Sequence, residues 1–278
     1  MGNLIKNEWM KIFKRPGTFV MIAILLVSII LMGIIIKSEQ TDMEGLTQDK
    51  NWKQVLQEEN NALKQQMDQS QSNLEKKFFK KEIAINEYRI EHNIPTKEDY
   101  SVWTFVKDTS QLIILAGLFI IIISAGIVAS EFNWGTIKLL LIRPINRTKI
   151  LLSKYLTVLV FALFMLAILF VFSIILGTIL FGVPDQAVPY LNYNNGHVTE
   201  QNMAVHLLIY YGLNSIDTIM LVTMAFMISS VFRNSSLAIG LSLFLLFTGA
   251  QFTALLSMKF SWAKYLLFAK WRRNFLEF

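Results

Sequence analysis

The feature that most constrains this chain is a set of five apolar runs, each long enough to cross a lipid bilayer as a helix. A helix needs about 20 apolar residues to span the ~30 Å hydrocarbon core of a bilayer. These runs lack the alternation of apolar and polar residues that is typical of membrane-spanning strands. Of the 278 residues, 54% are hydrophobic. The sequence therefore predicts an all-α, polytopic helical membrane protein with five spans at 18–36, 111–129, 151–181, 207–232 and 237–258.

Charged residues beside the runs predict the orientation, because lysine and arginine accumulate on the cytoplasmic side of membrane proteins. Basic residues outnumber acids before the first run and between the second and third runs. The connection between the third and fourth runs carries no basic residue. A multi-pass protein of the cell membrane with a cytoplasmic N-terminus is therefore predicted. The first run lacks a small-x-small cleavage site, so we expect a retained anchor rather than a cleaved signal peptide.

The first 15 residues form an amphipathic pattern. Apolar side chains follow one helical stripe, and the lysines lie elsewhere on the helix; the stripe consists of Leu4, Ile5, Trp9, Ile12 and Phe13. This pattern predicts a helix that lies in the plane of the inner leaflet and ends at Pro16-Gly17. A simple basic flank that fixes topology is the alternative interpretation.

The polar stretch 37–106 contains a hidden apolar period of 11 residues. Two series share it, Trp52, Leu63, Leu74 and Ile85, and then Leu56, Met67 and Phe78. This period corresponds to 3.67 residues per turn, which predicts a helix with one narrow apolar seam. The chain must return to the membrane, so we expect a reversal near residues 70–73 and an extracytoplasmic helical hairpin. The hairpin either binds a partner or ligand or only packs against itself.

The fourth run is the most polar of the five. Tyr210, Asn214 and Asp217 share one helical face within it. A carboxylate inside a span faces the bundle or water rather than lipid. These three residues are candidates for a translocation path, and an interhelical hydrogen-bond site is the alternative. The preceding connection, residues 182–206, is rich in proline, asparagine and glycine and predicts an irregular outer loop.

Several kinds of chemistry are missing from the sequence. Cysteine is absent, so no thiolate nucleophile or thiolate metal site can form. The pattern G-x-x-x-x-G-K-[ST] does not occur, so the chain has no P-loop of its own. His92, His197 and His206 lack the spacing of metal ligands. The basic residues flank spans rather than forming one soluble face, so nucleic acid is not an expected partner. We expect no catalytic site, metal or cofactor in this chain.

The segment that joins the second and third runs carries a recognisable pattern: Glu131-x3-Gly135-Thr136-x-Lys138, then Pro144 and Arg147, continuing to Lys154. This pattern resembles permease subunits of the ABC-type-2 exporter family. The opening residues 7–15 are similar to the start of the same family, where an in-plane helix precedes the first span. The resemblance extends over essentially the whole chain, although members of that family usually have six spans.

The resemblance implies an ATP-driven exporter that moves an amphipathic substrate or peptide. Two permease subunits would form a homo- or heterodimer in the bilayer, and each would dock on a separate ATP-binding subunit that holds ATP and magnesium. By resemblance, a coupling helix contacts that subunit, with the residues Glu131, Gly135, Thr136, Lys138, Arg143, Pro144 and Arg147. A basic interfacial loop that only fixes topology is the alternative for this segment. The rival function is a non-transporting sensor or assembly factor that binds a partner through the 37–106 hairpin.

These interpretations divide the chain into four parts. Residues 1–36 form the in-plane helix and the first span, and residues 37–106 form the outer hairpin. Residues 107–258 form the membrane bundle, with a cytoplasmic coupling segment at 130–149. Residues 259–278 are expected to form an interfacial tail, which either is truncated or belongs to a five-span variant. The basic residues of this tail would lie outside the cell, against the charge pattern of the other connections.

Overall fold

The computed structural model describes residues 1–43, 52–70, 72–94, 100–136, 146–183, 189–194 and 196–259. A 3₁₀ turn, Ser110–Leu112, joins the fifth helix to the sixth. A small antiparallel sheet precedes the eighth helix. The elements in chain order are α1 (Gly2–Phe13), α2 (Pro16–Met43), α3 (Trp52–Gln69), α4 (Asn73–His92), α5 (Val102–Thr109), α6 (Ile113–Asn133), α7 (Arg147–Phe181), β1 (Tyr190–Asn194), β2 (His197–Gln201), α8 (Met203–Phe232) and α9 (Ser235–Lys259).

Four apolar segments of the described chain are long enough to cross a membrane: Pro16–Gln40, Val102–Asn133, Arg147–Phe181 and Met203–Phe232. The predicted all-α, polytopic class is therefore confirmed. The fifth predicted span, 237–258, lies within the 25-residue helix α9. The second span begins nine residues earlier than predicted. The reason is that α5 buries Val102, Phe105 and Val106 although Lys107 and Asp108 interrupt its apolar sequence.

The long helices alternate in direction, so the bundle has two distinct ends. At one end α1 contacts the last turn of α6 and the first turns of α7. At the other end Lys37 Nζ donates to the carbonyl oxygen of Leu180 at 3.0 Å, and Val102 N–H donates to that of Gly182. We call these the α1 end and the hairpin end, since α3 and α4 follow α2 at the latter.

The core lies between α6, α7 and α8, and α6 is the most enclosed span. Serine side chains connect α6 to α8 deep inside it. Ser124 Oγ donates to the carbonyl oxygen of Val222 at 2.8 Å, and Ser229 Oγ donates to that of Ala125 at 2.6 Å. Such bonds satisfy hydroxyl groups where no water is available. In contrast, α2 leaves most of its apolar residues exposed on the surface of the bundle, as a lipid-facing helix does.

Helices α3 and α4 run antiparallel, with the reversal between Gln69 and Asn73. Lys53 at the start of α3 donates to the side chain of Asn93, and Lys64 pairs with Glu87 further along. The expected apolar seam is only partly correct. Leu56 is buried, but Phe78 is 48% exposed, and Ile83, which is outside both series, is buried instead. A neutral polar pair also lies inside the seam, where Asn86 Nδ2 donates to Asn60 Oδ1 at 3.0 Å.

The expected irregular loop at 182–206 is wrong, because the chain forms a β-hairpin there. β1 pairs with β2 in register, from Tyr190 opposite Gln201 to Asn194 opposite His197. Gly196 adopts a φ of +91°, which lets the tight turn close between the strands. Tyr88 of α4 donates to the Glu200 carboxylate at 3.2 Å, so this hairpin is connected to the α3–α4 pair.

The N-terminal helix is confirmed, and it packs directly on the bundle. Trp9 and Phe13 meet the rings of Phe161 and Phe164 on α7 at centroid distances of 5.5 to 6.3 Å. Pro16 is the first residue of α2, where a missing backbone N–H costs nothing. The tail predicted for residues 259–278 lies outside the described residues, except for Lys259.

Candidate functional site

Four charged side chains meet at the α1 end, and we call them the ionic junction: Glu8, Lys11, Glu131 and Lys154. Lys154 Nζ donates to Glu8 Oε2 at 2.7 Å and to Glu131 Oε1 at 2.6 Å. It also donates to the carbonyl oxygen of Ile127 at 3.3 Å. Lys11 Nζ donates to Glu8 Oε1 at 2.7 Å and to Glu131 Oε1 at 3.2 Å. The junction therefore joins α1, α6 and α7 through two carboxylates and two ammonium groups.

The local sequence explains how each residue reaches the junction. Glu8 lies three residues after Ile5 and four before Ile12, so it shares the packed face of α1. Glu131 lies in the last turn of α6, and Lys154 lies two turns inside α7. The ammonium group of Lys154 also contacts the backbone carbonyl of Ile127, within the last two turns of α6, and a positive charge is favoured near this end of a helix.

Burial makes this pairing costly to break. The side chains of Lys154, Glu8 and Glu131 are 4%, 8% and 9% exposed. An ion that loses its partner at such a place keeps its desolvation cost without any compensating attraction. The opposite charges balance within the junction, since two carboxylates face two lysines. Glu131 Oε2 is buried and accepts no hydrogen bond from the part of the chain that the structure describes.

Titration of the junction follows from its charges. Burial alone would raise the pKa of the Glu8 carboxyl, but Lys154 and Lys11 outweigh burial and hold the pKa below its ordinary value of 4.5. Burial alone would lower the pKa of Lys11, but Glu8 and Glu131 outweigh it and raise the pKa above its ordinary 10.5. Both α1 residues therefore stay charged at neutral pH.

A second set of contacts extends the junction toward the connection that follows α6. Arg15 Nη2 donates to Ser130 Oγ at 3.4 Å, and its guanidinium group lies 5.3 Å from the ring centroid of Trp134. Thr136 Oγ1 donates to the backbone carbonyl of Glu131 at 3.4 Å. The first residues of the 131–147 connection are therefore held against both α6 and the N-terminal segment.

The structure describes four of the seven predicted coupling residues. Glu131 belongs to the ionic junction, and Thr136 bonds to its backbone. Gly135 adopts a φ of +70° just after α6, a conformation that glycine adopts without strain. Arg147 is the exposed first residue of α7. Lys138, Arg143 and Pro144 lie outside the described residues.

Sequence reasoning missed the three residues that complete the junction with Glu131. Glu8 and Lys11 contributed only to the balance of charge before the first apolar run, and Lys154 only marked the end of the 131–154 pattern. The available signal was an acid at the centre of the apolar stripe of α1. An acid at that position must find a cation once the stripe packs.

The candidate path residues lie elsewhere, along α8. Tyr210, Asn214 and Asp217 share one face and are all half-buried. The packed face, with Tyr211, Thr218 and Val222, lies roughly 90° around the helix. Tyr211 is the residue that enters the core, where its hydroxyl donates to the carbonyl oxygen of Val106 at 2.9 Å. The junction and the candidate path are thus separate sites.

The described residues contain no group of three or more histidine, aspartate or glutamate side chains that could hold a metal ion. In the junction, ammonium groups occupy the positions beside the carboxylates where a cation would bind.

The fold and the junction define a polytopic α-helical membrane protein whose N-terminal helix is fastened to its bundle by buried charges. The chain belongs to a family of proteins of unknown function, DUF2705, whose model matches residues 70–275. It is 51% identical to the uncharacterized protein YhcI of Bacillus subtilis (strain 168) over 271 residues, 97% of this chain and 85% of that protein. It is also 30% identical over 166 residues to the uncharacterized membrane protein YdbK of the same organism, covering 59% of this chain and 63% of YdbK. No solved structure matches the chain.

These matches correct the family that the 131–154 pattern suggested. The assignment to the ABC-type-2 exporter family is wrong, because the matching model describes a family of unknown function and neither relative is named as an exporter. Glycine, threonine, proline and basic residues are common at membrane boundaries, so the pattern was too unspecific to identify a family.

Proposed function

We propose that this protein is the membrane-spanning subunit of an exporter that is driven by a separate ATP-hydrolysing subunit. The observation that carries the proposal is the ionic junction, which fastens α1 to both helices that flank the 131–147 connection. We further propose that the α1 end faces the cytoplasm of the cell, as the basic residues at that end favour.

The argument begins with how the connection is held. Glu131 lies in the last turn of α6, just before the connection, and Lys154 lies about two helical turns after Arg147, the first residue of α7. Because Lys154 pairs with Glu131 at 2.6 Å, the two helices that enter and leave the connection are tied together beside it. A push on the connection would therefore move α6 and α7 as one unit.

The second step concerns α1. Glu8 shares Lys154 with Glu131, so α1 takes part in the same contact. Two residues separate the end of α1 from the start of α2. A displacement at the connection would thus reach the spans formed by α2, α6 and α7 through one buried cluster. A soluble subunit that changes shape could drive the bundle in this way.

The third step concerns the source of energy. The sequence has no P-loop, which supports ATP hydrolysis on a partner chain. Lys138 and Arg143 add positive charge to the connection, and they suit pairing with acidic residues of a partner. A second copy of this chain, or a related permease chain, would complete the transporter.

The test is purification of the whole protein from its native membranes in a mild detergent, with identification of the chains that accompany it. We expect an ATP-hydrolysing subunit in comparable amount. Reversing the charge at Lys138 and Arg143 should remove that subunit while the protein still inserts into the membrane. The matched control reverses Lys77 and Lys80 on α4, two lysines that are exposed at the opposite end, and it should retain the subunit.

Two results would count against the proposal. One is the absence of any ATP-hydrolysing chain under several mild conditions. The other is a subunit that remains bound after the reversal at Lys138 and Arg143 but leaves after the reversal on α4. The second result would favour a sensor or assembly factor that acts through the α3–α4 hairpin.

A further inference from the structure

A stripe of polar and aromatic side chains runs along α8, from the hairpin end to the middle of the span. His206, Tyr210, Asn214 and Asp217 are spaced by four, four and three residues, so they lie on one face of the helix. Asn214 Nδ2 donates to the backbone carbonyl of Tyr210 at 2.8 Å, which directs it along this face. We call these four residues the α8 stripe.

The stripe lies at the boundary between the packed and the exposed sides of α8. On one side, Leu207 and Tyr211 are buried in the core. On the other side, Leu208 is 63% exposed and Ile216 is 52% exposed. A molecule could therefore touch the stripe with a polar group and leave an apolar tail against the exposed side, in the region where lipid would lie.

A tyrosine from the β-hairpin closes the outer end of the stripe. The ring of Tyr190 stacks on His206 with a centroid distance of 3.5 Å and an interplanar angle of 12°. His206 in turn lies 6.3 Å from the ring of Tyr210. Burial and the nearby carboxylate of Glu82 raise the pKa of the Tyr190 phenol, so this ring stays neutral near neutral pH. The outer end of the stripe is thus a stack of aromatic rings, with the carboxylate of Glu82 and the ammonium group of Lys107 nearby.

Asp217 marks the inner end of the stripe. Among the residues that the structure describes, no hydrogen bond or ion pair involves its carboxylate. A carboxylate halfway along a span is costly unless it meets a cation, water or a polar group. At the outer end, the positive charge of Lys107 and the negative charge of Glu82 offset each other. Asp217 is the acid of the stripe itself, and a cation that enters along the stripe would pair with it.

We propose that the α8 stripe binds the ammonium head group of a cationic amphiphile. The Asp217 carboxylate pairs with the head group, and the faces of Tyr210 and Tyr190 attract it as it passes. The apolar tail lies along the exposed side of α8. This proposal identifies the substrate class of the proposed exporter. The role of the bound molecule as a transported substrate rests on the proposed function, but binding itself requires no ATP-hydrolysing partner.

The test uses the full chain in lipid nanodiscs and two photoreactive probes of equal length. One probe is a diazirine-bearing dodecylamine and the other is the matching neutral dodecanol. We expect the amine to label the peptide that contains α8 and the alcohol to label it at least fivefold less. Dodecyltrimethylammonium should compete with the amine probe and suppress the labelling. In Asp217→Asn, the concentration of this competitor needed to halve the labelling should rise by tenfold or more. In Asp217→Glu, that concentration should lie within about threefold of the wild-type value.

The matched control is Ser215→Ala. Ser215 is at the same depth on the opposite side of α8, where its hydroxyl donates to the carbonyl oxygen of Gly212 at 2.6 Å, and its loss should leave labelling unchanged. Tyr190→Leu provides a second variant, outside the spans, and should raise the competitor concentration needed to halve the labelling by about threefold. Equal labelling by amine and alcohol, or competition that Asp217→Asn does not alter, would overturn the proposal. Because no partner subunit takes part, these results are independent of the purification test above.

Discussion

The protein makes an interhelical ion pair in two very different environments. At the α1 end, Lys154 and Glu131 meet at 2.6 Å with side chains 4% and 9% exposed. In the α3–α4 hairpin, Lys64 and Glu87 meet at 3.1 Å with side chains 51% and 58% exposed. The groups are chemically the same, but water screens only the second pair. The comparison teaches that burial, rather than the presence of an ion pair, decides what its loss does to the protein.

The two regions also differ in the polar groups they bury. The hairpin buries a neutral pair, Asn60 and Asn86, whose members are 26 residues apart. The ionic junction joins Lys154 to Glu8 across 146 residues. Damage in the hairpin is therefore expected to stay local, whereas damage in the junction should reach three helices of the bundle.

The largest effect is expected from Lys154→Met. The substitution leaves the carboxylates of Glu8 and Glu131 buried with Lys11 as their remaining cation. Removing one partner of a buried ion pair costs about 3–5 kcal/mol of the free energy of unfolding. Thermal unfolding of the detergent-solubilised protein should show a correspondingly lower midpoint.

The control for this change is Lys149→Met. Lys149 is on the same helix but exposed, so its loss should shift the midpoint little. Equal midpoints for the two variants would contradict the view that the junction supports the bundle.

A smaller effect that depends on pH is expected from Glu8→Gln. At neutral pH the substitution replaces a carboxylate that accepts from two ammonium groups by a neutral amide. It should lower the free energy of unfolding by about 1.5–3 kcal/mol. Because the pKa of Glu8 is below 4.5 in the folded protein, its contribution is complete above about pH 4.5 and disappears as the pH falls through the lowered pKa. The stability of the two proteins should therefore converge in acid.

The measurement is the unfolding midpoint of wild-type protein and Glu8→Gln between pH 3 and 8. Glu39→Gln serves as the control, since Glu39 is an exposed acid at the hairpin end of α2. A gap that persists unchanged at the lowest pH would show that the carboxylate charge of Glu8 is not its source.

In the hairpin, Asn86→Leu should have a local effect. It leaves the buried amide of Asn60 without its partner, which costs about 1–3 kcal/mol. Hydrogen exchange in the full chain should become faster in α3 and α4 and remain unchanged in α6. Replacing Asn60 and Asn86 together by leucine should recover much of the protection, and a double variant that exchanges faster than Asn86→Leu would contradict this account.

The smallest effect is expected from Lys64→Met. The pair with Glu87 is exposed, and such pairs contribute up to about 1 kcal/mol. The unfolding midpoint and hairpin exchange should stay close to those of wild type. A loss as large as that of Lys154→Met would erase the contrast between the two regions.

The amino-acid sequence predicted the parts of the fold that depend on local pattern. The apolar runs predicted the membrane class, the stripe at residues 4–13 predicted α1, and the polar sequence near residue 70 predicted the reversal between α3 and α4. The β-hairpin was missed because proline, asparagine and glycine are shared by irregular loops and tight turns. The exposure of Phe78 was not predicted, because an 11-residue period identifies one face of a helix but does not specify which residues of that face the neighbouring helix covers.

The candidate site also has a part that the sequence predicted and a part that it did not. Glu131 could be selected from its position beside a basic connection, whereas the roles of Glu8 and Lys154 could not. Their pairing depends on how α1, α6 and α7 are rotated about their axes, and this rotation is set by packing among residues distant in sequence, such as Trp9 against Phe164. By itself, the sequence determined that helices form and that they lie in a membrane, because those properties follow from local periodicity and length. Only the tertiary structure decided which charged residues meet, because a buried charge gains its partner when distant faces are brought together.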